Sequence, residues 1–166
     1  MCFWGEALVL GPNINLPMQE DAVAPAFAAA EKALVLAPKA TPREQALIAA
    51  VSSRYAKDAK ADRVPLDAAY ASAMEKVAAQ FPDDNEIAVL YAESVMDLSP
   101  WNYWQPGGHA PSQQSGPIVP TLERVLAPRT SRHVCRRWRS PNRSSSPALL
   151  AASSATCSGS PISARR

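Results

Sequence analysis

The chain has 166 residues, with 17 Lys plus Arg against 15 Asp plus Glu and 47% hydrophobic residues, enough for one modest domain with its own core. No run of about 18 apolar residues is present, and Met1-Cys2-Phe3-Trp4-Gly5-Glu6 lacks the charged and apolar regions of a secretory signal, so neither a membrane span nor an export signal is expected. Three widely spaced cysteines, Cys2, Cys135 and Cys157, exclude a disulfide framework and a paired-ligand zinc site, which makes the cytoplasm the default compartment.

The charge divides along the chain. Residues 1–127 hold nine basic and fifteen acidic groups, a net −6, whereas residues 128–166 hold eight arginines and no acid, a net +8. The second segment is rich in serine and proline and has no tyrosine or phenylalanine, so it is expected to be disordered, with out-of-frame translation of GC-rich DNA as the favoured source of that composition and a genuine basic tail as the alternative. The predicted domain boundary lies near Ala127.

Glycine is absent from Pro12 to Pro106, a stretch rich in alanine and interrupted by Pro25, Pro38, Pro42, Pro65, Pro82 and Pro100. Nothing there alternates with period two, so the fold class is expected to be all-α, with prolines punctuating helix ends. The first helix is predicted at about Cys2 to Leu10, stopping at Gly11-Pro12. A second, about residues 22–37, is predicted to be capped by Asp21, to bury Val23, Phe27, Ala30 and Leu34, and to end at Pro38. Thr41-Pro42-Arg43-Glu44 spells a capping box with proline at the first helical position; the third helix follows through about Ala56, with Leu47, Ala50, Val51 and Tyr55 facing inward. The fourth is predicted to open at Pro65 and bury Leu66, Tyr70, Met74, Val77 and Phe81. The fifth starts at Asp83-Asp84 and buries Ile87, Leu90, Tyr91, Val95 and Leu98. A short sixth helix spans about Ile118 to Leu126. Narrow stripes and short connections predict antiparallel helix pairs that stack.

Pro82-Asp83-Asp84-Asn85 leads into Leu90-Tyr91-Ala92-Glu93-Ser94-Val95, and Ala26, Ala30, Ala33 and Pro38 have the spacing of a following, closely packed helix that Tyr70, Met74, Val77 and Pro82 repeat. These segments resemble the two helices of a tetratricopeptide repeat (TPR), although Pro38 and Pro82 are 44 residues apart where the standard unit is about 34. Trp4-Gly5-Glu6-Ala7-Leu8, Gly11-Pro12-Asn13-Ile14-Asn15 and Leu98-Ser99-Pro100-Trp101-Asn102-Tyr103-Trp104 further resemble larger bacterial TPR proteins of poorly defined function. The resemblance covers residues 1–127. It implies a TPR-like solenoid, a fragment in which Met1 is an internal or late start, marginal stability, and possible self-association through exposed end helices.

Catalytic chemistry is not expected: no nucleophile with a base, metal cluster or phosphate loop is written, and the enzyme, cofactor and metal expectations are all negative. His109 is isolated, His133 and Cys135 stand together by accident of the tail, and Glu20-Asp21 and Asp83-Asp84 are read as helix caps. Trp101, Tyr103 and Trp104 form an aromatic cluster that either holds a peptide or ring-bearing ligand or, as the favoured reading, covers the end of the helical stack. Asn13 and Asn15 are expected to satisfy backbone groups in a turn. The resemblance implies a concave groove taking a protein or peptide partner, with exposed residues near Arg54, Glu86, Glu93 and Asp97 as contacts. The alternatives are nucleic-acid or acidic-partner binding through Arg132, Arg136, Arg137, Trp138, Arg139 and Arg143, disfavoured by the acidic body, or a larger enzyme or metal-binding protein whose site lies outside this chain.

Overall fold

A computed structural model describes residues 1–58 and 60–127. The basic segment 128–166, with every expectation placed on it, lies outside the described residues. Among those described there are six α-helices and no β-strand: α1 (Cys2–Leu10), α2 (Glu20–Leu36), α3 (Pro42–Ser52), α4 (Arg63–Gln80), α5 (Asn85–Met96) and α6 (Ile118–Leu126), with a 3-10 turn at Ala37–Lys39 after α2. None is long and apolar enough to cross a membrane.

Local chemistry accounts for several of the boundaries. The Thr41 hydroxyl accepts from the Glu44 amide while the Glu44 carboxylate accepts from the Thr41 amide at 2.9 Å, so the reciprocal cap forms and Pro42 takes the first helical position. Asp84 caps α5 by accepting from the Ile87 amide at 3.1 Å. The fourth helix begins at Arg63, two residues before the predicted proline, because Asp62 accepts from the Val64 amide. The third stops at Ser52 rather than near Ala56, so Tyr55 is buried from a connection and not from a helix.

The second helix corrects the expectation most. Gln19, not Asp21, occupies its N-cap; Asp21 lies in the first turn and Pro25 lies inside the helix, where it removes one intrahelical donor instead of marking an end. Its buried face is Val23, Ala26, Ala29, Ala30 and Ala33, and Leu34 is 39% exposed. Val23 and Ala30 are buried as expected and Phe27 packs partly against the core, so Leu34 is the exception; Ala26, Ala29 and Ala33 widen the buried face, because methyl side chains let α1 approach the α2 backbone closely.

Each helix packs on the next in chain order, and α1 also touches α3. Hydrogen bonds fix the direction of alternate helices. Trp4 Nε1 donates to the Leu47 carbonyl at 3.1 Å and Tyr55 Oη to the Ala7 carbonyl at 2.5 Å, so the early and late parts of α1 meet the corresponding parts of the α3 segment. Arg43 binds Asp84 and Glu86 at the start of α5, and Arg54 binds Asp97 just past its end. Thus α1, α3 and α5 run parallel, with α2 and α4 returning between them. Arg124 Nη1 donates to the Pro82 carbonyl at 2.7 Å and returns α6 along α5.

The odd-numbered helices share a register. Trp4, Leu47 and Tyr91 are each followed three residues later by a small buried residue, Ala7, Ala50 and Ser94. Glu6, Ala49 and Glu93 stand at equivalent exposed positions. The core centres on Leu47, Val51, Met74 and Ile87 between α3, α4 and α5; truncating Met74 to alanine removes about 2–5 kcal/mol.

Candidate functional site

Beyond the ends of α1, α3 and α5 lies a charged cluster enclosed by the loop after α1. The sequence places Arg54 at the turn after α3, where its amide bonds the Val51 carbonyl and its side chain is carried toward three other segments. Arg54 Nη2 donates to Asp97 at 2.5 Å and to the Pro12 carbonyl at 2.8 Å. Its Nε lies 3.7 Å from Asp67, and its guanidinium stacks over the Tyr70 ring at 4.6 Å. Arg63, at the first turn of α4, donates to the Arg54 carbonyl at 2.9 Å and to Asp67, four residues on, at 2.5 Å. Two cations and two carboxylates therefore balance.

The side chains of Arg54 and Asp97 are only 3% and 4% exposed. Burial raises the Asp97 carboxyl to about 6 against the attraction of Arg54, with Glu93 and Asp67 pushing it further up. Burial likewise pushes the Tyr70 and Tyr55 phenols upward. Arg54 Nε, Arg63 Nε and Asp97 Oδ1 have no hydrogen-bond partner among the described residues, so the cluster is held by some of its polar atoms and not all.

Gly11 lets the loop close on this cluster: a Cβ there would stand 2.6 Å from Tyr55 Oη and 3.1 Å from Arg54 Nη1. Asn13 Oδ1 then accepts from the Asn15 and Leu16 amides at 2.9 and 3.1 Å, making the turn expected of that asparagine. Two depressions flank the loop. One, of about 220 Å³, has Arg63, Asp67, Asp97 and Pro100 among its walls; the other, of about 540 Å³, lies between α1 and α5, with Val9, Asn13, Arg54 and Glu93 among its walls.

At the opposite end of α3 and α5, Arg43 grips Asp84 at 2.6 and 3.3 Å and Glu86 at 2.7 Å. The hydrogen bond from Arg43 holds the Asp84 carboxyl below the usual carboxylate range, helped by the Ile87 and Glu86 amides. Glu20 and Asp21 make no cap, so the expected explanation of acidic pairs by capping holds at Asp84 alone.

The predicted contact residues are thus divided. Glu86 and Glu93 are exposed as expected, but Arg54 and Asp97 are withdrawn into the ion-pair cluster and offer no free charge. Trp101 is 71% exposed and Trp104 49%, so they do not cover the end of the stack. Tyr103 is half-buried, with its hydroxyl enclosed. Arg63 and Asp67 were not anticipated, although their spacing of four on one helix was available as a signal.

Among the described residues no three His, Cys, Asp or Glu side chains are grouped so that they could hold a metal ion. The arrangement positions a loop and helix ends; it provides complementary charge and a cleft. No family model matches the chain, and no curated protein or solved structure shows a significant match to it.

Proposed function

We propose that this chain is a non-catalytic, TPR-like helical-repeat scaffold that binds a protein or peptide partner. The observation that carries the reading is the shared register of α1, α3 and α5, joined by side-chain hydrogen bonds between residues 41 to 48 positions apart. A repeating ladder of parallel helices with returning helices between them is the geometry of a solenoid, whose first-type helices line a common binding face. The exposed residues of these helices include Glu6 and Val9 on α1, Gln45 on α3, and Val89 and Glu93 on α5, and Val9 and Glu93 stand on the walls of one cleft. That cleft, of about 540 Å³, opens between α1 and α5. The unit is longer than the standard repeat because the connections after α1 and α3 are long, and the first of them helps build the cleft. The family resemblance brings a bacterial origin with it, and the cysteine spacing a cytoplasmic setting.

Panning a displayed peptide library on the full chain, and on Val89→Asp/Glu93→Arg, tests this reading. Peptides enriched by the parent and lost on the variant, with melting temperature unchanged, are the expected result. No enrichment, or equal enrichment on both, would remove the proposed binding face.

A further inference from the structure

Asp97, the residue after the last turn of α5, has one carboxylate oxygen engaged and one not. Oδ2 accepts from Arg54 Nη2 at 2.5 Å, while Oδ1 has no hydrogen-bond partner among the described residues. The side chain is only 4% exposed, so bulk water reaches that oxygen poorly, and an enclosed acceptor without a donor destabilises the fold that keeps it. Asp97 forms part of the wall of the depression of about 220 Å³ beside the loop after α1, together with Arg63 and Asp67. Arg63 Nη2 holds Asp67, and Arg63 Nε is a second enclosed polar atom without a partner among the described residues. A third, Arg54 Nε, faces Asp67 at 3.7 Å.

The depression thus has a free acceptor on one wall residue and a free donor on another. Ile14, Leu16, Met18 and Pro100 give it an apolar lining, and Asn13, also in the lining, has its Oδ1 engaged by the Asn15 and Leu16 amides. Apolar walls with a few fixed polar atoms are the usual make-up of a small-molecule site. The charges there are already matched, Arg54 with Asp97 and Arg63 with Asp67. A carboxylate or an ammonium would add an unmatched charge beside enclosed ion pairs, whereas a neutral head group adds none. Among neutral groups a hydroxyl donates and accepts from one atom. A primary amide does so from two, which suits partners carried by different segments, the start of α4 and the end of α5.

We propose that this depression binds a primary carboxamide carried on a small apolar body, the amide nitrogen donating to Asp97 Oδ1 and the amide carbonyl accepting from Arg63 Nε. The same chemistry is offered by a free small amide and by the glutamine or asparagine side chain of a partner. The site lies beside the loop after α1 but apart from the cleft between α1 and α5, and it stands or falls independently of the peptide-binding reading.

Cyclohexanecarboxamide, cyclohexanecarboxylate and cyclohexylmethylamine share one body and differ in the head group, so titrating each into the full ¹⁵N-labelled chain tests the head alone. A pH of about 8 keeps Asp97, which burial raises to about 6, ionised. The carboxamide should shift the backbone signals of Ile14, Arg63 and Asp97 and bind about tenfold tighter than the other two. Asp97→Asn leaves an amide oxygen for Arg54 and turns the free acceptor into a donor, with one positive charge in excess, so the carboxylate should then bind better than the carboxamide. Arg63→Lys keeps a charge for Asp67 without the Nε donor and should weaken carboxamide binding about tenfold; it decides the matter if Asp97→Asn does not fold. End-blocked Ala-Gln-Ala and Ala-Glu-Ala peptides separate the sources: matching shifts with the glutamine peptide assign a partner side chain, and shifts with cyclohexanecarboxamide alone assign a small molecule. The proposal is overturned by no carboxamide binding, by equal binding of the three probes, by shifts confined to other parts of the chain, by a folded Asp97→Asn that keeps the parent's preference, or by unchanged binding to Arg63→Lys.

Discussion

Arg43 and Arg54 make the same connection at opposite ends of one helix pair, and water separates their consequences. Each grips a carboxylate at the matching end of α5, Asp84 for the first and Asp97 for the second. The Arg43 and Asp84 side chains are 34% and 22% exposed, whereas those of Arg54 and Asp97 are almost fully enclosed. An exposed pair gains modestly because water solvates the separated ions nearly as well. An enclosed pair is weak evidence of net stabilisation over an apolar alternative, but removing one member leaves a buried charge without its counterion. The two sites therefore respond differently to the same substitution.

The largest contrast is expected from Arg54→Ala, which strands Asp97 and frees Asp67, the Pro12 carbonyl and the Tyr70 ring of their partner. Urea unfolding should show a loss of about 3–5 kcal/mol. Replacing Arg54 by methionine and Asp97 by leucine together should recover most of it, since no charge is then left alone. A double variant as unstable as Arg54→Ala would mean that shape and not charge governs the cluster. Next comes Gly11→Ala, expected to cost about 1–3 kcal/mol because Tyr55 Oη is held by the Ala7 carbonyl and cannot withdraw from the new methyl. A thermal melt unchanged by this substitution would show that the loop can move away from the cluster.

The pH dependence separates the two carboxylates by sign. Asp97 has a folded value of about 6, raised above its ordinary 3.8, so its contribution to stability is fully present below pH 3.8 and is lost as pH rises through about 6. Asp84 is lowered, so its contribution is present above its ordinary 3.8 and is lost as pH falls through its depressed folded value. Comparing wild type with Asp97→Asn by urea titration from pH 4 to 7, the gap should move in favour of the variant as pH rises. A gap that moves in favour of wild type would reverse the balance between burial and the Arg54 charge. The smallest effect belongs to Arg43→Ala, about 0.2–1 kcal/mol and shrinking with added salt. A loss near that of Arg54→Ala would erase the distinction between the two ends.

How much of this was legible depended on the range of the interaction. The bounds of α1 and α6, the Thr41 cap and the Asp84 cap are local and follow from neighbouring residues. The face of α2 is only partly local: Val23, Phe27 and Ala30 meet the core as their spacing suggests, but Leu34 is 39% exposed, and Ala26, Ala29 and Ala33, with a weaker hydrophobic signal, complete the buried surface. Arg54 and Asp97 were placed outside because a lone charged side chain belongs in water, and their partner lies 43 residues away with no mark in either local sequence. The tryptophans erred in the other direction. Size argued for burial, while the turn chemistry of Ser99-Pro100-Trp101-Asn102 carries Trp101 outward. Periodicity and capping therefore recover the helices, and the candidate site depends on pairings that only the packed chain brings together.

The long spacing of the ties between alternate helices also sets an order of assembly. Neighbouring helices can pair once the single connection between them closes, whereas the bonds from Trp4 to Leu47 and from Tyr55 to Ala7 span 43 and 48 residues and enclose an intervening helix. The Arg54 contacts with Pro12 and Asp97 belong to the same late class. Their loss should steepen escape from the native state more than it hinders entry, so in stopped-flow measurements Arg54→Ala should raise the unfolding rate and leave the refolding rate nearly unchanged. An equal slowing of refolding would place the Arg54 cluster in the nucleus; the expected pattern makes it the clasp that governs how long a folded molecule survives.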